Sequence, residues 1–429
     1  MDKIILDFNN IVKDMKPVNG VTNGPGVHKG VLDSSRFFKE LDLPLSRLHD
    51  TEMFSRKHFV DYNKIFSDIL KDENDPSAYD FKGTDELIAK LESLGIDIIF
   101  RLGSSAAVNN KKIHNEFPCD IEKLSQIMFR IVDHYCGKWA DGYEYKNIWF
   151  EIWNEPDLEI FYKGSEEKFR KFYELTSKKI KSAYPDIKVG GCAFCRVDCD
   201  FSVHVLDYIK EHSCPLDFLS YHFYNTDAFN FRKRNSDVRK LLDERGFTDI
   251  PMVLDEWNFN INFNNRLFES YLLLSSNIAA CFVGSMLAEL QKNPIDYAAY
   301  YDMQSNYMMF VYNGIYGFNG CKLYHKKPYY PFLYFKKLKE LKKETYISDL
   351  KNVFTLAASD GMIGRCMITN YSFENPAKKE IGLEVNKEYK KMSVFVTNKY
   401  NRNKLIYSGD VLSKWNFDKN SIYYMEFEK

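Results

Sequence analysis

Residues 148–157 read Ile-Trp-Phe-Glu-Ile-Trp-Asn-Glu-Pro-Asp, a short apolar run that ends in a polar, turn-forming sequence. A helical pattern follows at Glu166–Ala183, and a second apolar run follows at Ile187–Cys192. A strand, a helix and a second strand in this order predict a βαβ unit with parallel strands. This unit decides the fold, because the same alternation recurs along most of the chain.

The alternation of apolar runs and amphipathic stretches extends from about residue 16 to residue 340. The predicted strands are a run near Lys16–Val21 and the segments Leu43–His49, Ile96–Leu102, Ile148–Trp153, Ile187–Cys192, Phe218–Phe223, Met252–Trp257 and Tyr297–Asp302. The predicted helices include Thr84–Leu94, Ile121–Cys136, Glu166–Ala183 and Ser236–Arg245, with Asp120 and Ser165 at the expected N-cap positions. Eight such repeats predict an α/β fold, a closed (β/α)₈ TIM barrel over residues 16–340.

The pattern changes after Leu341, where helical periodicity is absent. Short strands separated by Lys, Asn, Gly and Asp turns are predicted at Met367–Tyr371, Ile381–Val385, Met392–Val396, Lys404–Tyr407 and Ile422–Phe427. Residues 341–429 are therefore predicted to form an appended antiparallel β-sandwich domain. The apolar run Ile4–Phe8, within residues 1–15, is expected to add a strand to it.

The composition excludes several classes of partner. The formal net charge is −1, so there is no electrostatic reason to expect nucleic acid or an anionic membrane as a partner. Nine cysteines argue against a disulfide framework, and the N-terminal residues lack the apolar run of a signal peptide. Polar residues interrupt the longest apolar stretch, Tyr271–Leu290, which is interpreted as a buried barrel helix. We expect a cytoplasmic protein if no leader precedes this sequence, and the sequence leaves a homo-oligomer open.

Polar residues recur at the predicted carboxyl ends of the barrel strands, where the chemistry of TIM barrels takes place. These residues are His49, Asp50, Arg101, Asn154, Glu155, His222, Tyr224, Glu256, Tyr301, Asp302 and Gln304. Six strand ends thus direct hydrogen-bonding groups at one mouth, which a purely structural barrel does not require.

Two of these residues, Glu155 and Glu256, end the fourth and seventh strands, which face one another across the barrel. Glycosidic cleavage uses two carboxyl groups, about 5–5.5 Å apart in retaining enzymes and about 6.5–9.5 Å apart in inverting enzymes. Spacing alone does not assign their roles. Strand alternation predicts that Glu151 shares a face with Glu155, whereas Asp255 points away from Glu256. Arg101 is interpreted either as the buried partner of Glu151 or as a substrate ligand.

The segment Trp149–Asp157 resembles the fourth-strand signature of the large barrel clan of retaining glycosidases. The segment Val253–Asn258 is similar to the seventh-strand nucleophile segment of glycoside hydrolase family 39, which includes β-xylosidases and α-L-iduronidases. Arg47–Asp50 and Ser220–Tyr224 fall where that family has the histidines and the tyrosine of its sugar pocket. The resemblance covers roughly residues 17–305.

The resemblance implies that Glu155 is the acid/base and Glu256 the nucleophile. It also implies that Asn154 binds the sugar 2-hydroxyl and that the pocket is lined by His49, His222 and Tyr224. Tyr301 stands where the xylosidases of the family usually have Trp, and Arg101 adds a cation near the mouth. Tyr301 and Asp302 are interpreted as mouth residues, and Asp50 as a further substrate-binding residue.

The implied activity is that of a retaining exo-glycosidase that releases a terminal sugar without a metal or an organic cofactor. The first expectation is a β-D-xyloside, and the alternatives are a galactoside, an arabinoside, a glucoside or a uronide. A non-catalytic carbohydrate-binding barrel is the alternative from a different class, and its expected mark is the loss of one carboxylate.

Several features also have purely structural interpretations. The Asn-Glu-Pro sequence is compatible with a capped turn, and a lone His222 with a core histidine. The cysteines of Cys192-x-x-Cys195-x-x-x-Cys199 lack a fourth ligand at a standard zinc spacing, so burial is preferred to metal binding. The basic run 231–234 is interpreted as a solvated loop rather than as a site for an anionic substrate.

Overall fold

The computed structural model describes residues 2–28, 32–53, 57–105, 120–304, 313–319 and 322–429. The strands are β1 (Lys3–Asp14), β2 (Gly20–Thr22), β3 (Val27–His28), β4 (Leu32–Asp33), β5 (Leu45–Leu48), β6 (Asp97–Leu102), β7 (Ile148–Ile152), β8 (Val189–Phe194), β9 (Leu219–Asn225), β10 (Met252–Phe259), β11 (Tyr297–Tyr300), β12 (Tyr316–Asn319), β13 (Lys322–His325), β14 (Lys343–Ile347), β15 (Val353–Ser359), β16 (Ile363–Asn370), β17 (Lys379–Val385), β18 (Lys391–Thr397), β19 (Lys404–Asp410), β20 (Lys414–Phe417) and β21 (Ser421–Glu428). The helices are α1 (Arg36–Leu41), α2 (Tyr62–Ile65), α3 (Lys82–Glu92), α4 (Ile121–Cys136), α5 (Glu166–Ala183), α6 (Asp200–Glu211), α7 (Ala228–Asp243), α8 (Leu267–Leu273), α9 (Asn277–Lys292) and α10 (Tyr329–Lys339).

Eight parallel strands close into a barrel in the order β2, β5, β6, β7, β8, β9, β10 and β11, and β11 pairs with β2. The predicted (β/α)₈ barrel is therefore confirmed. The two most strongly periodic helices, α4 and α5, have the predicted bounds. Their N-caps are also as predicted. The side chain of Asp120 accepts the backbone N–H of Lys123, and the side chain of Ser165 accepts the backbone N–H of Lys168.

Helix α7 differs from its prediction because it begins at Ala228 rather than at Ser236. Asp227 caps it by accepting the backbone N–H of Phe229. The basic run 231–234 is thus helical, and the prediction of a solvated loop is wrong. The guanidinium of Arg232 makes two hydrogen bonds to Glu289, of 2.6 and 2.8 Å. These bonds compensate the charge of Arg232 on the helix. The apolar residues of α7 are spaced too irregularly for the sequence to show where the helix begins.

A nine-stranded sheet lies beside the barrel, in the order β19, β18, β21, β16, β15, β14, β1, β17 and β20. Its curled strands form the predicted β-sandwich, although the sheet is mixed because β1 pairs in parallel with β17. The predicted N-terminal strand lies within β1, where Ile4, Leu6 and Phe8 alternate into the core of the sheet. Three strands of this sheet were not predicted, namely β14, β15 and β20.

Helix α9 packs against both the barrel and the sheet, and every residue from Ala279 to Gln291 is buried. Phe282 lies at its centre, with ring contacts of 5.8 Å to Phe231 on α7 and 6.4 Å to Tyr371 beyond β16. Among the described residues no single helix is long and apolar enough to cross a membrane. Helices α8 and α9 reach that length and composition only together, and they are bent by 87°.

Because Phe282 joins the two parts of the fold, we expect Phe282→Ala to leave a cavity that the surroundings cannot fill. The free energy of unfolding should fall by about 3–5 kcal/mol, measured by urea denaturation. Phe268→Ala is the matched control, because this ring is 69% exposed, and it should change the free energy by less than about 0.5 kcal/mol. Equal effects of the two substitutions would contradict this account of the interface.

Candidate active site

A buried arginine, Arg47 on β5, lies at the centre of the barrel mouth. Its Nη1 donates to Glu256 Oε1 at 2.6 Å, and its Nη2 donates to Glu151 Oε2 at 2.6 Å and to Asn154 Oδ1 at 2.7 Å. Its Nε lies 2.8 Å from Asp255 Oδ2. Arg47, Glu151 and Asp255 have no exposed side-chain surface, so this cation balances several carboxylates where water cannot.

The predicted pairing of Arg101 with Glu151 is therefore wrong. Arg101 and Glu151 are neighbours in the ladder between β6 and β7, but the Arg101 guanidinium bonds Asp61 and the backbone oxygen of His49 instead. Arg47 bonds Glu151 in its place. Asp61 lies just before α2, where no strand pattern or motif marked it as part of the site.

A β-bulge brings Asp255 into the same network. In the ladder between β9 and β10, Leu254 pairs with Tyr221 and Glu256 pairs with His222, so Asp255 is an extra residue. Asp255 Oδ1 lies 3.6 Å from His222 Nε2. The prediction that Asp255 points away from Glu256 is wrong, because strict alternation holds only along an uninterrupted strand.

His222 lies between the two candidate catalytic glutamates. Its Nδ1 is 2.7 Å from Glu155 Oε1 and 3.7 Å from Glu256 Oε2. Burial by itself lowers the pKa of His222, but the carboxylates of Glu256 and Asp255 outweigh burial and hold this pKa well above its ordinary value. The raised pKa favours the protonated imidazole, whose Nδ1 donates a hydrogen bond to Glu155.

Both oxygens of Glu256 accept hydrogen bonds. Arg47 donates to Oε1, and the hydroxyl of Tyr224 donates to Oε2 at 2.7 Å. Burial raises the pKa of Glu256 and the nearby Glu155 adds to this rise, while His222, Arg47 and Tyr224 oppose it. The three opposing groups all favour the ionised carboxylate.

The backbone beyond β7 fixes the position of Glu155. Trp153 and Glu155 both have positive φ, 72° and 45°, which side-chain-bearing residues adopt only where the surroundings enforce it. Asp157 supplies part of that enforcement, because its two oxygens accept the backbone N–H groups of Cys195 at 3.0 Å and Arg196 at 2.8 Å. The loop after β8 is thereby tied to the loop that carries Glu155.

His49 and Asp50 line another side of the mouth. Arg101 Nε donates to His49 Nδ1 at 3.1 Å, so the ring carries its proton on Nε2, which lies 3.1 Å from Asp50 Oδ1. Tyr301 donates to the other oxygen of Asp50 at 3.0 Å. Burial raises the pKa of Asp50 to about 7, and the nearby Glu256 adds to this rise. Asp50 is therefore close to half-protonated at neutral pH.

The remaining predicted residues, Asn154, Asp302 and Gln304, have different surroundings. Asn154 Nδ2 is buried without a hydrogen-bond partner among the described residues, so its amide can still donate to a ligand. Asp302 is buried, and burial together with Asp50 raises its pKa well above the ordinary value. Gln304 is used within the fold, because its Nε2 donates to the backbone oxygen of Asn23.

Three residues of the network were not identified from the sequence, namely Arg47, Asn23 and Asp61. Arg47 was detectable, because it stands two residues before His49 in the predicted strand Leu43–His49, where alternation predicts the same side for both. Asn23 accepts the backbone N–H groups of His49 and Asp50 through its side chain, both at 3.0 Å. It follows a strand of only three residues, which gives no periodicity to extrapolate.

Within the described ranges, no group of three or more His, Cys, Asp or Glu side chains is arranged to hold a metal ion. Cys192 is buried, Cys195 and Cys199 are half-buried, and all three are free thiols.

The sequence profile of glycosyl hydrolases family 39 matches residues 42–363, which is well over half of the chain. The chain belongs to glycosyl hydrolases family 39.

Two curated relatives of this family 39 chain are β-xylosidases. The one from Geobacillus stearothermophilus is 27% identical over 192 residues, which are 40% of this chain and 36% of the relative. The one from Caldicellulosiruptor saccharolyticus is 28% identical over 156 residues, which are 33% of this chain and 31% of the relative. The chain thus spans about a third of the length of these curated relatives.

Solved structures match the family 39 chain over its whole length. A glucosidase from Croceicoccus marinus has a TM-score of 0.75 at 19% identity, with 100% of this chain and 99% of that chain covered. A β-xylosidase from Caulobacter crescentus has a TM-score of 0.72 at 17% identity, and an α-L-arabinofuranosidase from Thermotoga petrophila has 0.71 at 17%; each is covered completely, as is this chain. At these identities the likeness shows the fold alone.

The pKa values of Glu151 and Asp255, two carboxyl groups that contact Arg47, are shifted in opposite directions. Burial raises the pKa of Glu151 to about 8, and Asp255 adds to this rise, while Arg47 opposes it. Burial also acts to raise the pKa of Asp255, but Arg47 and His222 outweigh it and lower this pKa. At neutral pH Glu151 is therefore protonated and Asp255 ionised.

This difference makes stability depend on pH. The unfolded chain loses the Glu151 proton near pH 4.5, whereas the folded protein keeps it up to about pH 8. The folded state thus binds more protons in this window, so the free energy of unfolding should fall as pH rises through it. Glu151→Gln, which keeps an acceptor for Arg47 but does not titrate, should flatten this slope in urea denaturation from about pH 5 to about pH 8.

Glu167→Gln is the matched control, because Glu167 is an exposed glutamate on α5, and this substitution should keep the wild-type slope. A Glu151→Gln variant with the wild-type slope would show that Glu151 does not hold this proton.

Proposed function

We propose that this protein is a retaining exo-glycoside hydrolase that removes a terminal sugar, with a β-D-xyloside as the first candidate substrate. The observation that carries the proposal is the contact of both Glu155 and Glu256 with one nitrogen of His222. Membership of glycosyl hydrolases family 39 supports the same reaction class.

The separation of the two carboxylates favours retention of the anomeric configuration. Glu155 Oε1 and Glu256 Oε2 lie 2.7 and 3.7 Å from His222 Nδ1, so these oxygens are no farther apart than the sum of the two distances. That limit lies at the lower edge of the range of about 6.5–9.5 Å that inverting enzymes need to place a water between their carboxyl groups. It accommodates the retaining separation of about 5–5.5 Å.

The hydrogen bonds support one assignment of the two roles. Glu256 is bonded by Arg47 and Tyr224, which favour an ionised carboxylate, so it is the nucleophile that attacks the anomeric carbon. Glu155 shares a proton with His222 along their 2.7 Å contact and gives it to the leaving oxygen as the glycosidic bond breaks. The products of this step are the free aglycone and a glycosyl ester of Glu256.

The second step returns the proton. A water molecule attacks the anomeric carbon of the ester and transfers a proton to the pair of Glu155 and His222, which releases the sugar and the Glu256 carboxylate. The unpartnered amide of Asn154 supports binding of the sugar 2-hydroxyl, where contacts strengthen in the transition state. The presence of both carboxylates argues against a binding protein without catalytic activity.

The choice of a β-D-xyloside is supported by the two curated β-xylosidases that the chain resembles. A glucoside, an arabinoside, a galactoside or a uronide stays an alternative for the same chemistry, and a glucosidase and an arabinofuranosidase share the fold. Exo action is supported by the low exposure of Glu155 and Glu256, 8% and 6%, which fits a pocket better than an open groove. A panel of nitrophenyl glycosides, with the product anomer followed by NMR, tests both the sugar and the retention.

Glu256→Ala should abolish turnover of the preferred nitrophenyl glycoside, because the covalent step has lost its nucleophile. Added azide should partly restore release of nitrophenol and give a glycosyl azide of inverted configuration. Asp302→Ala also removes a buried carboxylate but should show no rescue by azide. Turnover of Glu256→Ala at the wild-type rate would refute the proposal.

Glu155→Ala should affect substrates according to their leaving groups. Dinitrophenyl glycosides need little proton assistance, whereas alkyl glycosides need it and should lose about 10²–10⁴-fold in kcat/KM. Glu159→Ala, at an exposed glutamate of the same loop, should leave both substrates unchanged. Equal losses on both substrates would remove Glu155 from the acid/base role.

A further inference from the structure

The exposed ring of Phe263 contacts the ring of Tyr224, and Tyr224 in turn contacts the candidate nucleophile, Glu256. Phe263 lies in the loop between β10 and α8, and it is 55% exposed. Its ring is 5.2 Å from that of Tyr224, at an interplanar angle of 85°. The hydroxyl of Tyr224 in turn donates to Glu256 Oε2 at 2.7 Å.

The rings form a series that leads out of the site. Tyr301, which donates to Asp50, is 6.4 Å from Tyr224, and both of these rings are partly buried. Phe263 is the outermost ring of the three. A ligand that extends from the pocket along this side therefore meets Phe263 after Tyr224.

The loop holds Phe263 in place without burying it. Ser270 ties the two ends of the loop together, because its hydroxyl accepts the backbone N–H of Ile261 at 2.9 Å and donates to the backbone oxygen of Arg266 at 3.1 Å. The backbone N–H of Arg266 also donates to the carbonyl oxygen of Asn262 at 3.1 Å. A loop that is fixed in this way presents a pre-organised surface to a ligand.

The exposure of Phe263 is not explained by packing. All of residues 262–266 are exposed, and the others are asparagines and an arginine, so the ring is an apolar exception in a polar loop. Leaving such a ring in water forgoes about 25 cal/mol for each Å² of apolar surface that could be buried. Exposed apolar surface at the rim of a polar pocket is typical of a ligand site.

We propose that Phe263 is the platform of the aglycone-binding site and that it selects aglycones that carry a ring. The ligand is either an aryl ring or the C–H face of a second pyranose, since both stack on an aromatic side chain. This inference rests on the proposed function. In the proposed function the leaving oxygen lies at Glu155. Burial raises the pKa of Tyr224 and the charge of Glu155 adds to this rise, so Tyr224 borders the side on which the aglycone leaves.

The test compares substrates that share the glycone and differ only in the aglycone. The first set is nitrophenyl β-D-xyloside, xylobiose and methyl β-D-xyloside; if the panel identifies another glycone, the corresponding glycosides replace them. Phe263→Ala should raise KM about tenfold for the nitrophenyl glycoside and the disaccharide, and leave the methyl glycoside within about twofold. Phe263→Trp, which keeps a ring, should restore the wild-type KM.

Phe268→Ala is the matched control, because Phe268 is a neighbouring exposed phenylalanine on α8, and it should leave all three substrates unchanged. An equal change on the methyl glycoside, or no change on the two ring-bearing substrates, would overturn the assignment of Phe263 while the proposed function stands. A wild-type protein that hydrolyses no glycoside would overturn both. If Phe263→Ala raises KM for only one of the two ring-bearing substrates, the assignment of Phe263 stands, and that substrate identifies the ring that the platform accepts.

Discussion

The buried guanidinium of Arg47 contacts Glu151, Asp255 and Glu256 within the barrel, and the candidate site is organised around it. Removing one partner of a buried ion pair leaves a charge that neither water nor protein compensates. Arg47 also donates to Asn154, so the same side chain positions an amide whose Nδ2 has no hydrogen-bond partner among the described residues. The chemistry of the mouth and the stability of the barrel interior therefore depend on one set of contacts.

A second constraint comes from the strands that surround this cation. The bulge in β10 adds Asp255 to the inner face, so two consecutive carboxylates point inward where a regular strand would supply one. His222 then lies among Glu155, Asp255 and Glu256, and these carboxyl groups raise its pKa. The raised pKa of His222 is thus a property of a local irregularity in a strand, because without the bulge the carboxylate of Asp255 would face outward.

The sequence predicts the barrel and brings Glu155 and Glu256 to one mouth, since strand–helix alternation and strand-end polarity are local signals. The sequence predicts poorly which side chains bond to each other. A long side chain can reach several neighbours, and the folded structure decides which of them it bonds. Arg101 illustrates this point: it is adjacent to Glu151 in the ladder but bonds Asp61, which lies in an irregular segment. The missed start of α7 has a similar origin, since distant carboxylates such as Glu289 compensate its basic residues.

The pairing of β1 has a consequence for how the chain folds during synthesis. This first strand lies between β14 and β17, so its neighbours leave the ribosome only after nearly the whole barrel has been made. Until then the apolar side chains of Ile4, Leu6 and Phe8 have no sheet to cover them. Contacts of such long sequence separation form slowly, and the nascent chain carries an unpaired apolar segment that chaperones or aggregation can capture.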